Sequence, residues 1–101
     1  MNKNKGTIYY AAYDITENKI REKVIIVLEK YGMDRIQKSL FCGSLNSQRL
    51  KDLTEELKRI INNKNSLYLI PTTKKLADAV IMLGRGFDKE YTYDRKAGDV
   101  I

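Results

Sequence analysis

One acidic side chain stands out by its position. Asp14 follows the apolar and aromatic run Thr7 to Tyr13 (TIYYAAY) and precedes a segment with helical patterning. A lone carboxylate is a poor site for a hard cation such as Mg²⁺, which takes several oxygen ligands and keeps its waters. It suits the positive start of the following helix, where negative charge is favoured. Histidine is absent, which excludes a His-based triad, a His general base and a His metal site. The single cysteine, Cys42, excludes an internal disulfide and a multi-cysteine zinc site, and reads as a buried, reduced thiol. Any hydrolytic chemistry therefore falls to carboxylates, a metal-bound water, or Tyr and Lys groups. Two arginines, Arg21 and Arg35, carry planar forks that suit phosphate. As ordinary surface residues they would be a solvated helix position and an ion-pair partner.

The elements that must hold these residues follow from hydropathy. Thr7 to Tyr13 reads as a buried strand, with Ile8, Tyr10 and Ala12 on one face and Tyr9, Ala11 and Tyr13 on the other. Thr16 is placed to cap a helix. Ile20, Val24, Val27, Leu28 and Tyr31 then recur at the helical period, and Gly32 stands where a left-handed cap belongs. Asp34 to Cys42 returns to strand character. Asn46 or Ser47 opens a second helix with the stripe Leu50, Leu53, Leu57, Ile60 and Ile61, which the polar cluster Asn62 to Asn65 ends. Ser66 to Ile70 is a further strand, stopped at Pro71. Lys74 to Leu83 fits a short helix or a strand, and Glu90 to Tyr93 is strand-like.

Strand, helix, strand, helix, strand predicts an α+β sandwich with both helices on one side of a sheet. A ferredoxin-like βαββαβ arrangement needs two strands between the helices. The stretch Asp34 to Leu45 contains no hairpin dipeptide to divide it. The length of 101 residues and the 43% apolar share suit one small core. No stretch is long and apolar enough to span a bilayer. Met1 to Gly6 is polar and basic, so no signal peptide is expected and the cytoplasm is the expected compartment. Nineteen Lys and Arg against thirteen Asp and Glu give +6, which favours a polyanionic partner but also serves solubility.

Tyr13-Asp14-Ile15-Thr16, with Arg21 a turn into the helix, is followed by Lys30-Tyr31-Gly32-Met33-Asp34-Arg35-Ile36-Gln37-Lys38-Ser39-Leu40-Phe41. Together these residues resemble the CRISPR-associated protein 2 family, the small component of the spacer-acquisition complex. The likeness runs from about Ile8 to Leu57, loosens over Ser66 to Gly84 and fades at the end. It implies a ferredoxin-like fold over residues 1–86, with Asp34 to Leu45 supplying two strands. It also implies a symmetric homodimer and an additional C-terminal strand in the tail 87–101, for which Glu90 to Tyr93 is the candidate to cross to the partner.

The resemblance further implies roles. Asp14 is the expected metal ligand, and two copies facing each other across the dimer would share one Mg²⁺ or Mn²⁺. Tyr13, Arg21, Arg35 and Phe41 fall on positions tied to nucleic-acid cleavage, with Tyr13 and Phe41 also suiting plain packing. Arg21, Lys23, Arg35 and Lys38 are the expected nucleic-acid contacts, and Lys23 stands where relatives often carry another arginine. The implied activity is divalent-metal-dependent endonuclease cleavage of duplex DNA or single-stranded RNA, in partnership with the CRISPR integrase, CRISPR-associated protein 1. Three alternatives stay open: a basic scaffold that bridges integrase copies on DNA without turnover, a toxin-type endoribonuclease, and a ligand sensor or RNA-binding module of the same fold.

Overall fold

A computed structural model describes residues 6–86. Its elements are β1 (Thr7–Asp14), α1 (Asn18–Lys30), β2 (Asp34–Gln37), β3 (Leu40–Leu45), α2 (Ser47–Lys58), β4 (Ser66–Thr72) and a short α3 (Lys74–Asp78). The four strands form one antiparallel sheet in the order β2-β3-β1-β4. This is the ferredoxin-like α+β arrangement, and the stretch between the helices does supply two strands. Glu90 to Tyr93 and the proposed tail lie outside the described residues.

The core lies between the sheet and the two long helices. Ala11, Tyr13 and Phe41 come from the strands, Val24, Val27 and Leu28 from α1, and Leu53 and Leu57 from α2. Full burial of an aliphatic or aromatic side chain contributes about 1.5–3 kcal/mol, and Phe41, Leu28 and Leu53 reach it. The expected stripes of both helices face this core. α1 ends as its glycine requires: Gly32 has φ +81°, and the amide of Met33 donates back to the Leu28 carbonyl at 3.1 Å. Asn46 caps α2, its side chain accepting from the Arg49 amide at 2.8 Å. Thr16 does not cap α1; the N-cap is Glu17, without a side-chain bond.

Two strand readings change. β1 is buried on the helix side only, because Ile8, Tyr10 and Ala12 face away from both helices. In register with them stand Leu40, Cys42 and Ser44 on β3, and Tyr68, Ile70 and Thr72 on β4. The sheet therefore has an apolar side away from the helices that the described residues leave partly bare; Tyr68 is 65% exposed and Ile70 44%. β4 also continues through Pro71. The Tyr13 amide donates toward β3, to the Ser39 carbonyl at 3.0 Å. Two-residue alternation gives Tyr9 the same sense, so the Tyr9–Pro71 pair carries no ladder bond. The donor that Pro71 lacks falls on the outer edge, where a sheet tolerates it.

After α3, residues 79–86 have no regular secondary structure. Val80, Ile81, Met82 and Leu83 are all exposed, Leu83 at 86%. The segment leaves from β4 at one edge of the sheet and arrives beside β2 at the other. There Gln37 Nε2 donates to the Arg85 carbonyl at 3.2 Å. Among the described residues, no helix is long and apolar enough to cross a membrane.

Candidate functional site

Asp14 is the last residue of β1 and is exposed. It shares the parity of Ile8, Tyr10 and Ala12, which puts it on the uncovered side of the sheet, opposite Ser66 of β4. Among the described residues, no hydrogen bond or ion pair engages its carboxylate.

Its neighbours are held from the other side. The Tyr13 side chain points into the core, and its hydroxyl donates to the Lys38 carbonyl at 2.7 Å. The same carbonyl accepts from Arg35 Nη2 at 2.8 Å. These two bonds, with the Tyr13 amide on Ser39, secure the Lys38–Ser39 turn of the β2–β3 hairpin against the end of β1. Burial pushes the Tyr13 phenol above its usual acidity range, while the nearby Arg35 and Arg21 pull the other way. It therefore stays a donor at neutral pH. Phe41 packs beneath, with its ring centroid 6.3 Å from that of Tyr13 and the Arg35 guanidinium 5.7 Å from its own centroid.

Beyond Asp14 the chain is pinned by Arg21. One guanidinium nitrogen donates to the Ile15 carbonyl at 3.0 Å and the Thr16 carbonyl at 3.3 Å, and another to Asn18 Oδ1. Asn65 adds a tie that the sequence did not announce, its Nδ2 donating to Glu17 Oε1 at 2.7 Å. Asp14 thus closes β1 between two anchored neighbours, ahead of a loop braced from α1 and from Asn65 just before β4. Tyr13, Arg21, Arg35 and Phe41 come together at this end of the molecule, on the helix side of the sheet, and Asp14 emerges on the opposite side. Lys23 is exposed on α1 and Lys38 in the hairpin turn.

A hard oxygen donor such as the Asp14 carboxylate fits Mg²⁺ or Mn²⁺. The described residues do not complete such a site by themselves: no three His, Cys, Asp or Glu side chains among them lie close enough to hold an ion. The donor set fits a largely hydrated ion only if a second Asp14 joins the first.

Residues 7–79 match the family described as CRISPR associated protein Cas2. A Pyrobaculum aerophilum protein named CRISPR-associated endoribonuclease Cas2 2 is 43% identical over 74 residues, covering 72% of this chain and 81% of that one. A Thermoproteus tenax protein named a CRISPR-associated endonuclease Cas1/endonuclease Cas2 fusion is 44% identical over 54 residues, 54% of this chain and 20% of the fusion. The crystal structure of Streptococcus pyogenes Cas2 superposes with a TM-score of 0.69 at 25% identity, covering 76% of this chain and 99% of that one. A hypothetical protein of Thermus thermophilus gives 0.70 at 30% identity, with 81% and 95% covered.

Proposed function

The chain belongs to the CRISPR-associated Cas2 family, and from that premise we propose that it is a homodimeric nuclease of CRISPR adaptation that works beside Cas1. Relatives carry the name endoribonuclease, and one is fused to Cas1 in a single chain. The observation that carries the reading is the placement of Asp14 on the same side of the sheet as the uncovered apolar row.

Two copies stacked by that side, about 10 Å apart as packed sheets are, bury Ile8, Tyr10, Tyr68 and Ile70. The choice of two-fold axis is then constrained. An axis between the sheets and parallel to the strands keeps both Asp14 residues at one end. It also sets the second copy's β4 over the first copy's β2 edge. An axis across the strands sends the two carboxylates to opposite ends. The exposed run Val80 to Leu83 leads to Arg85, whose carbonyl meets Gln37 at the β2 edge of its own chain, and the parallel axis lays that edge against the second copy's β4. Among the described residues no strand pairs with the outer side of β4, which is flanked by an apolar groove lined by Leu57, Ile61, Leu67 and Leu69. Strand exchange and paired carboxylates thus select the same symmetry.

The two Asp14 carboxylates would share one Mg²⁺ or Mn²⁺, which when bound lowers the pKa of water and polarises a phosphoryl oxygen. Tyr13, Arg35 and Phe41 hold the strand end, Arg21 holds the loop beyond it, and the surplus of basic side chains draws in the nucleic-acid backbone. The single-carboxylate substitution tests this. Asp14→Asn is expected to abolish metal-dependent cleavage of RNA or DNA while the dimer and nucleic-acid binding persist. Cleavage at the unaltered rate by that variant would end the reading. A purified wild-type chain that binds nucleic acid and never cleaves it would leave the scaffold, which needs the same dimer and no turnover.

A further inference from the structure

The residue that faces Asp14 across the sheet is polar. Ser66 opens β4 directly opposite it, and residues paired this way stand on one face with Cβ atoms about 4.5–5.5 Å apart. A hydroxyl–carboxylate bond across that gap needs only side-chain rotation. Among the described residues neither group is engaged: no hydrogen bond or ion pair reaches the Asp14 carboxylate or the Ser66 hydroxyl. The backbone that carries Ser66 is, by contrast, held from several directions. Asn65 Oδ1 accepts from the Asn62 amide at 3.1 Å while its Nδ2 donates to Glu17 Oε1 at 2.7 Å. Asn62 Oδ1 accepts from the Lys64 amide at 2.8 Å, and the Asn65 amide donates to the Asn62 carbonyl at 3.1 Å. The turn between α2 and β4 is thus closed on itself and tied to the loop that follows Asp14. Its amides are spent on that frame, and the hydroxyl of half-buried Ser66 is not.

We infer that Ser66 is a positioning residue for Asp14, its hydroxyl donating to the Asp14 carboxylate when that group engages a divalent cation. The inference rests on the metal reading above and deepens it by naming what orients the ligand. A serine hydroxyl both donates and accepts, whereas an ionised carboxylate only accepts, so the proton of the bond comes from Ser66. One carboxylate oxygen is then held and the other is turned toward the ion. On the same face Ala12 and Leu40, the last pair between β1 and β3, bring no polar side chain to the task. Hydrogen bonds that orient a metal ligand in this way are worth roughly ten- to hundredfold in metal affinity.

The test titrates Mn²⁺ into the full chain, followed by electron paramagnetic resonance, with sedimentation run at the same protein concentration. Ser66→Ala is expected to weaken Mn²⁺ binding roughly tenfold with the dimer intact, and to raise the Mn²⁺ needed for half-maximal cleavage by the same factor. Ser66→Thr keeps the hydroxyl and is expected to bring both values back to within about twofold of the wild type. Ser44→Ala removes a hydroxyl from the same side of the sheet at its far end, opposite Ile8, and is expected to change neither. Three results overturn the assignment: wild-type Mn²⁺ affinity in Ser66→Ala, a loss that Ser66→Thr does not repair, or a Ser66→Ala chain that sediments as a monomer. In each of them, loss of Mn²⁺ binding in Asp14→Asn leaves the metal reading standing. Unchanged Mn²⁺ affinity in Asp14→Asn, or no binding by the wild type, overturns both.

Discussion

At the scale of single residues, the end of β1 divides its labour by side-chain parity. Tyr13 points inward and holds; Asp14 points outward and is available. The Tyr13 hydroxyl is buried against the Lys38 carbonyl, which it shares with Arg35. Removing that hydroxyl leaves the aromatic packing with Phe41 in place. Tyr13→Phe is therefore expected to cost about 1 kcal/mol of unfolding free energy, the usual net value of one such bond. It is also expected to reduce cleavage without abolishing it, because Asp14 keeps its carboxylate and loses only part of its bracing. Denaturant melts and single-turnover cleavage check the two halves. A complete loss of cleavage in a variant that melts like the wild type would instead make the phenol a participant in the reaction. The position of Asp14 at a strand end was legible in TIYYAAYD. That Arg21 spends its guanidinium on the carbonyls of Ile15 and Thr16 was not, because an arginine in a sequence does not name its acceptors.

At the scale of elements, both long helices were readable because their signals are local. The α1 stripe, its glycine and the Asn46 cap all act within a few residues of one another. Gly32 gives the sharpest check: a Cβ there would meet nothing within 4 Å, so Gly32→Ala carries only the penalty of φ +81°. A loss of about 1 kcal/mol is expected in thermal or denaturant unfolding, with the fold retained. An unchanged midpoint would mean that α1 can end in another conformation. The hairpin was not readable for the opposite reason. Its Lys38–Ser39 turn has no turn dipeptide of its own, and the bonds that secure it come from Tyr13, 25 residues away from Lys38. β4 outran its expected stop at Pro71 because a proline ends a central strand but not an edge one. β1 looked buried on both sides since its second apolar row is real; among the described residues, no helix packs over it.

For the whole molecule, the proposed pairing through that apolar row would tie assembly to chemistry. Ile70 lies opposite Tyr10 near the middle of the bare side and is 44% exposed, so a charge there should leave the protomer folded and split the pair. Ile70→Asp is expected to sediment as a monomer and to lose metal-dependent cleavage in step, regaining neither at concentrations where the wild type is fully paired. A monomer that cleaves normally would remove the shared-ion arrangement. The proline near the end of β4 bears on a different hazard. Bare strand margins invite endless addition of like chains, the route to fibres. With no donor at Pro71, the outer hydrogen-bonding row of β4 offers amides only at Leu67 and Leu69, too brief a template to extend a growing stack. A chain that must expose a sheet margin to find its mate is thereby steered toward closing as a pair and away from polymerising.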